Sequence, residues 1–173
     1  MCAARAAAFT LIFVGVTGLA SVASGQPLTA EERDTFKGLT GVSVFVEPLY
    51  ENAERDGLTK GAIQNDVEQR LREKGIQVFT DLAASQRQNR AAPDLHVAVT
   101  AVRRENGLYA YNVTVELSQI VSSLVSNQTF WASTWKSGVT GSVGVLQLPK
   151  VRESVKKQVD KFISDWLAVH RKP

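Results

Sequence analysis

Two histidines, one cysteine and a scatter of carboxylates are what this 173-residue chain offers for covalent or acid–base chemistry. Cys2 stands alone, which excludes an intrachain disulfide framework and a cysteine-based zinc cluster. His96 and Glu116 fall opposite each other if the two strands that carry them pair by their apolar faces. An imidazole held by a carboxylate is the orienting half of a general-base dyad. No GxSxG nucleophile elbow accompanies it. A cross-strand polar pair, worth a few tenths to about 1 kcal/mol, accounts for both residues more plainly. Glu47, Glu51, Glu54 and Asp56 form a second acidic set after the first strand, at a sheet edge where ligands often bind. Arg55 among them marks a solvated loop. No residue is assigned a catalytic, cofactor-binding or metal-ligating role.

Two further sets could bind rather than react. The run Gly138-Val139-Thr140-Gly141-Ser142-Val143-Gly144 has the glycine content of a phosphate loop. It lacks the Lys-Ser/Thr of a P-loop and the spacing of a dinucleotide fingerprint, so a flexible loop or a bulged strand is expected. Residues 26–69 are net acidic and residues 70–173 net basic. Within the basic part, Arg103 and Arg104 at a hairpin tip, with Lys150, Arg152, Lys156 and Lys157 at the start of the last helix, are candidate contacts to an anion.

The elements that position these residues follow from periodicity. Val42, Val44 and Val46 alternate with polar neighbours and Phe45 until Pro48, a half-buried strand beginning at Gly41. A polar loop, YENAERDG, follows. Thr59 is a plausible N-cap for a helix reaching Lys74, with Ile63, Val67 and Leu71 on one face and Gly75 as the left-handed stop. Ile76 to Phe79 completes a βαβ unit with parallel strands. Asp81 to Pro93 reads as a short surface helix or a mobile loop.

A hairpin comes next, with Leu95, Val97, Val99 and Ala101 on one face of its first strand. Tyr109, Tyr111, Val113, Val115 and Leu117 share a face of its second. A two-residue Asn106-Gly107 turn would set Val97 against Glu116 and mix the faces. A three-residue loop, Glu105 to Gly107, sets Val99 against Val113 and Val97 against Val115, and a one-residue slip would flip every side chain. The three-residue loop is therefore expected. A fifth strand, Gln128 to Lys136, carries Trp131 and Trp135 on one face. Pro149 opens a last helix whose apolar stripe runs through Val151, Val155, Val159, Phe162, Ile163, Trp166 and Leu167. Its other face offers Glu153 to Lys157 and Lys161 to Asp165. His170 falls in a frayed tail. The fold class is α+β: one β-α-β-β-β-α domain with a mixed sheet and two helices packed on one face. The other face would show Phe45, His96, Thr100, Asn112, Thr114 and Glu116, a candidate partner surface.

The ends of the chain and its bulk properties bound the function. Residues 1–25 have the form of a cleaved export signal: Arg5, an apolar stretch, then small residues up to Gly25. Residues 26–40 are expected as a flexible lead-in and 41–173 as the domain. Roughly 150 residues remain after cleavage, enough to bury a core without disulfides. Net charge +3, with 20 basic against 17 acidic residues, is well short of a nucleic-acid binder.

The order of an export signal, GVSVFVEPL, the unit GLTKGAIQNDVEQRLREKGIQVF, a meander and a closing helix resembles the small envelope α/β domains. These include the amino-terminal domain of TolB and the lipoproteins related to the curli secretion channel. The resemblance spans Gly41 to His170 and is one of pattern, with no signature residue to carry over. The lipid-attachment cysteine of the lipoprotein members is missing, since Cys2 precedes the apolar stretch. The resemblance implies a non-catalytic role, docking to other envelope proteins. The expected protein is thus an exported, periplasmic or secreted, non-enzymatic binding or adaptor domain. Its partner would be another envelope protein or an envelope polymer, with no cofactor and no transmembrane segment after cleavage. Two alternatives stay open: a small hydrolase or lyase using His96 with Glu116 or the Glu47–Asp56 acids, and a binder of anionic polymer or lipid headgroups through the basic set.

Overall fold

The computed structural model describes residues 29–79 and 92–170. The expected export signal at 1–25, and nearly all of the Asp81–Pro93 segment, lie outside them. Five strands form one mixed sheet in the order β2-β1-β3-β4-β5. They are β1 (Gly41–Val46), β2 (Gln77–Phe79), β3 (Asp94–Arg103), β4 (Leu108–Ser122) and β5 (Thr129–Gly144). β1 is parallel to both β2 and β3, and the β3–β4 and β4–β5 pairs are antiparallel. The helices are α1 (Ala30–Asp34), α2 (Glu51–Arg55), α3 (Lys60–Glu73) and α4 (Val151–His170), the last preceded by a 3-10 turn over Val145–Lys150. The fold is α+β, with α3 and α4 packed on the sheet.

The long helices form where their caps and stripes require. The Thr59 hydroxyl accepts from the Ala62 N–H at the start of α3. Gly75, at φ +76°, takes the left-handed position that ends it. Ile63, Val67 and Leu71 are buried from α3, and Val151, Val155, Val159, Phe162, Ile163 and Trp166 from α4. These stripes meet Val42, Val46, Leu95, Val97, Val113, Val115 and Leu117 from the sheet to make one core. Arg70 donates to Asp160 at 2.6 Å and Arg152 donates twice to Asp66 at 2.7 Å, tying α3 to α4.

The β3–β4 register is the one that burial demands. Val99 lies opposite Val113, Val97 opposite Val115 and His96 opposite Glu116. The Arg104 N–H donates to the Leu108 carbonyl, and Gly107 closes the loop at φ +74°.

Several expectations change. The segment 26–40, expected as a flexible lead-in, holds from Thr29 onward a helix with a reciprocal capping box between Thr29 and Glu32. Phe36 in the same segment is fully buried, its ring centroid 5.8 Å from Phe162 and 6.3 Å from Trp166. The core therefore begins at Phe36, ahead of Gly41. The polar loop after β1 contains α2. The glycine run is regular strand, because β5 pairs with β4 along its whole length. Gly141 has no side chain because the Tyr111 ring fills that space: a Cβ there would lie 2.6 Å from the Tyr111 oxygen. That hydroxyl is 3.1 Å from Ser154 of α4. Trp131 and Trp135 lie on opposite faces. Leu117 pairs with Trp135 while Ser118 pairs with Ser133, so Thr134 is an extra residue and the alternation shifts by one. On α4, Glu153 pairs with Lys156 rather than Lys157. Asp165 accepts the Trp135 indole N–H at 2.9 Å instead of facing Lys161. His170 is the last residue of α4; its ring stacks on Trp166 and its nitrogens meet the carbonyls of Trp166 and Leu39.

Candidate functional site

Strand register assembles the face of the sheet away from α3 and α4. Phe45, His96, Glu116 and Lys136 are successive partners on β1, β3, β4 and β5, a transverse row across four strands. The Phe45 ring stacks on His96 with centroids 5.3 Å apart, and Lys60 Nζ lies 5.3 Å from the Phe45 centroid. His96 Nε2 is 3.2 Å from Glu47 Oε1. Lys136 Nζ sits 2.7 Å from Glu116 Oε1, and its hydrogen bond holds the Glu116 carboxyl below its ordinary range. The next rungs are small or polar: Ala98–Thr114–Gly138, then Thr100–Asn112–Thr140. Thr114 donates its hydroxyl proton to Asn112 at 3.0 Å. All six residues expected on this surface (Phe45, His96, Thr100, Asn112, Thr114, Glu116) share it. The partner of the imidazole differs from expectation: Glu47 meets it, and Glu116 is engaged by Lys136.

The acidic set does not converge. Glu51 pairs with Arg55 at 2.6 Å, Glu54 accepts the Lys60 N–H at 3.4 Å, and Glu47 turns to His96. Asp56 accepts the Tyr109 hydroxyl at 2.8 Å and lies 3.5 Å from Arg103. Burial first, and then Asp56, raises the Tyr109 pKa. The expected anion contacts are likewise divided. Arg152 and Lys156 are spent on Asp66 and Glu153 in the α3–α4 seam. The Arg152 hydrogen bonds hold the Asp66 carboxyl low, and Asp66 in turn raises Arg152. Arg103 faces Asp56, while Arg104, Lys150 and Lys157 are exposed. A cleft of about 360 Å³ is lined by Lys74, Asp160, Ile163, Ser164 and Leu167, and a second of about 110 Å³ by Asp66, Gln69, Arg70, Glu73 and Lys156. Neither touches His96 or the acids of α2. Among the described residues no three His, Cys, Asp or Glu side chains are placed to hold a metal ion, and no helix is long and apolar enough to cross a membrane.

A second surface lies at the far end of β4 and β5. β3 ends its pairing at Asp94 opposite Ser118, but β4 and β5 continue together to Ser122 and Thr129. Four more rungs carry this two-stranded arm about 13 Å beyond β3. Ile120, Phe130 and Trp131 are half-exposed along it. Leu124 and Val125, at its apex, are 101% and 99% exposed.

The family models contain no match to this chain, and neither do the curated proteins. Among solved structures, a PelC dodecamer from Paraburkholderia phytofirmans is similar, with a TM-score of 0.40 and 20% identity, covering 81% of this chain and 92% of that one.

Sequence reasoning found the sheet face and missed the arm. The missed residues are Ile120, Leu124, Val125, Phe130 and Trp131. A signal for them exists: no Asp, Glu, Lys, Arg or His occurs from Leu117 to Trp135, a charge-free run bracketed by Glu116 and Lys136.

Proposed function

We propose that the chain is an exported, non-enzymatic binding domain of the cell envelope, and that its open sheet face receives another envelope component. One observation carries this: the row Phe45–His96–Glu116–Lys136 crosses four strands on the face opposite α3 and α4, beside rungs of small and polar side chains. Such a face offers an aromatic anchor at one margin and carries both charge signs at fixed spacing, which favours register-specific docking. The imidazole supports binding better than proton transfer. Its ring stacks on Phe45 and its Nε2 is taken by Glu47, while Glu116, the carboxylate opposite it in the strand register, is engaged by Lys136. Export is proposed from the charge, apolar stretch and small residues of positions 1–25.

Site-specific photo-crosslinking in the source cell envelope tests the proposal. A crosslinker placed at Thr114 of the full chain is expected to give a discrete adduct, while one at Lys157 on α4 gives none. Phe45→Ala with His96→Ala should abolish the Thr114 adduct without altering the circular dichroism of the protein. No adduct at Thr114, or one indifferent to these changes, would remove the open face from the function.

A further inference from the structure

We infer that the β4–β5 arm is an interfacial membrane anchor: its apolar tip enters the lipid layer while the open sheet face stays in water. Its apolar side chains point to both sides of the ribbon. Ile120 and Trp131 are partners on the open-face side, and Val121 and Phe130 are partners on the other. A docking patch for a folded protein gathers its apolar residues on one side. A ribbon apolar on both sides is covered at once by a medium that surrounds it, and a lipid layer does so.

The vertical order fits as well. Leu124 and Val125 lead at the apex, the two aromatic rings follow on opposite faces of one strand, and the first ion pair, Glu116 with Lys136, comes several rungs behind. Aromatic rings behind an aliphatic tip match the depth at which Trp sits in bilayers. Three N–H groups of the loop are bonded internally, which lowers the cost of entering a layer poor in water: the Ser123 N–H donates to Gln128 O, the Asn127 N–H to Ser123 O, and the Ser126 N–H to Ser123 Oγ. The outer edges of a two-stranded ribbon still need water, so entry stops in the headgroup and upper acyl region, about 5–10 Å deep. With no charge between Leu117 and Trp135, attraction to the surface is apolar rather than electrostatic.

Depth-dependent quenching tests this on the full chain. Phosphatidylcholine vesicles with and without brominated acyl chains are mixed with the protein, and tryptophan emission is compared with that of Trp131→Phe. Trp135 and Trp166 are buried and supply an internal baseline. The Trp131 part of the emission is expected to fall roughly twofold with brominated lipid, at a ring depth typical of interfacial Trp. The quenching should persist in about 0.5 M NaCl, where screening removes surface electrostatics. Leu124→Glu with Val125→Glu, at fully exposed positions, should abolish it with the fold intact. Failure of the wild-type protein to show quenching, or quenching unchanged in the double variant, overturns the anchor. Sedimentation gives a third outcome: self-association lost in the double variant, without lipid quenching, would assign the arm to a second copy instead. Because the readout is confined to the arm, it is independent of the Thr114 crosslink.

Discussion

Within one pair of strands, β4 and β5 pass through two environments. From Tyr109 to Leu117, alternate side chains of β4 meet α4 and its neighbours, and Tyr109, Val113, Val115 and Leu117 are fully buried. Past the bulge at Thr134 the same strands still carry Ile120, Val121, Phe130 and Trp131, yet Ile120, Phe130 and Trp131 stand half in water. Residue type hardly changes between the two stretches; what lies opposite does. The body holds charged groups on the same strands, as with the paired Glu116 and Lys136, whereas the arm carries no charge at all. Apolar character in a strand thus marks what a residue would bury against, and only the neighbouring element decides whether it does.

The comparison breaks first if the body is not the source of stability. Phe162 lies 5.8 Å from Phe36, 5.4 Å from Trp135 and 5.8 Å from Trp166 by ring centroids, at the centre of the aromatic core. Phe162→Ala should cost about 3–5 kcal/mol in urea unfolding. A loss below roughly 1 kcal/mol, the size of an ordinary surface change, would show that the core is not centred there. The next largest effect concerns the α3–α4 seam. Asp66→Asn removes the negative charge and one of the two oxygens that accept from Arg152, and should cost roughly 2 kcal/mol at neutral pH. The Asp66 carboxyl titrates below its ordinary value in the folded protein. Its contribution is therefore complete above the unfolded-state value, near pH 4, and is lost as pH falls through the lower folded value. Urea midpoints measured from neutral to strongly acidic pH should show a gap between wild type and variant that closes toward acid. A gap that stays constant would mean the Asp66 charge is not what holds the seam.

How far such features can be seen in advance depends on whether neighbours in sequence decide them. The β3–β4 register was legible because only one loop length keeps Leu95, Val97 and Val99 opposite Leu117, Val115 and Val113. The ends of α3 were legible because Thr59 and Gly75 act locally. From that register and the first strand, the six residues of the open face follow. The bulge at Thr134 was not legible, since the apolar alternation through Trp131 and Trp135 runs unbroken across the extra residue. Gly138 and Gly141 suggest a loop by propensity, and only the Tyr111 ring lying over Gly141 explains a glycine inside a strand. Phe36, a lone aromatic in a polar stretch, and the distribution of Asp66 between Arg152 and Lys156 depend on contacts between segments far apart in the chain. The arm was hidden for a related reason: periodicity continues through it while the covering helix does not.

The smallest expected change is the sharpest test of the contrast. Leu124→Ser with Val125→Ser removes two large apolar side chains, a pair of substitutions that would each cost several kcal/mol in a core. At 101% and 99% exposure these side chains surrender no buried area, and the loop bonds from Ser123, Ser126 and Asn127 do not involve them. The urea midpoint in the absence of lipid should therefore stay within about 0.5 kcal/mol of wild type. A destabilisation above roughly 1 kcal/mol would mean that the tip packs on the body in solution, and the division of β4 and β5 into a buried and an unburied stretch would fail. Unchanged stability together with loss of interfacial quenching in the corresponding glutamate pair would separate what the tip does at a surface from what the body does for the fold.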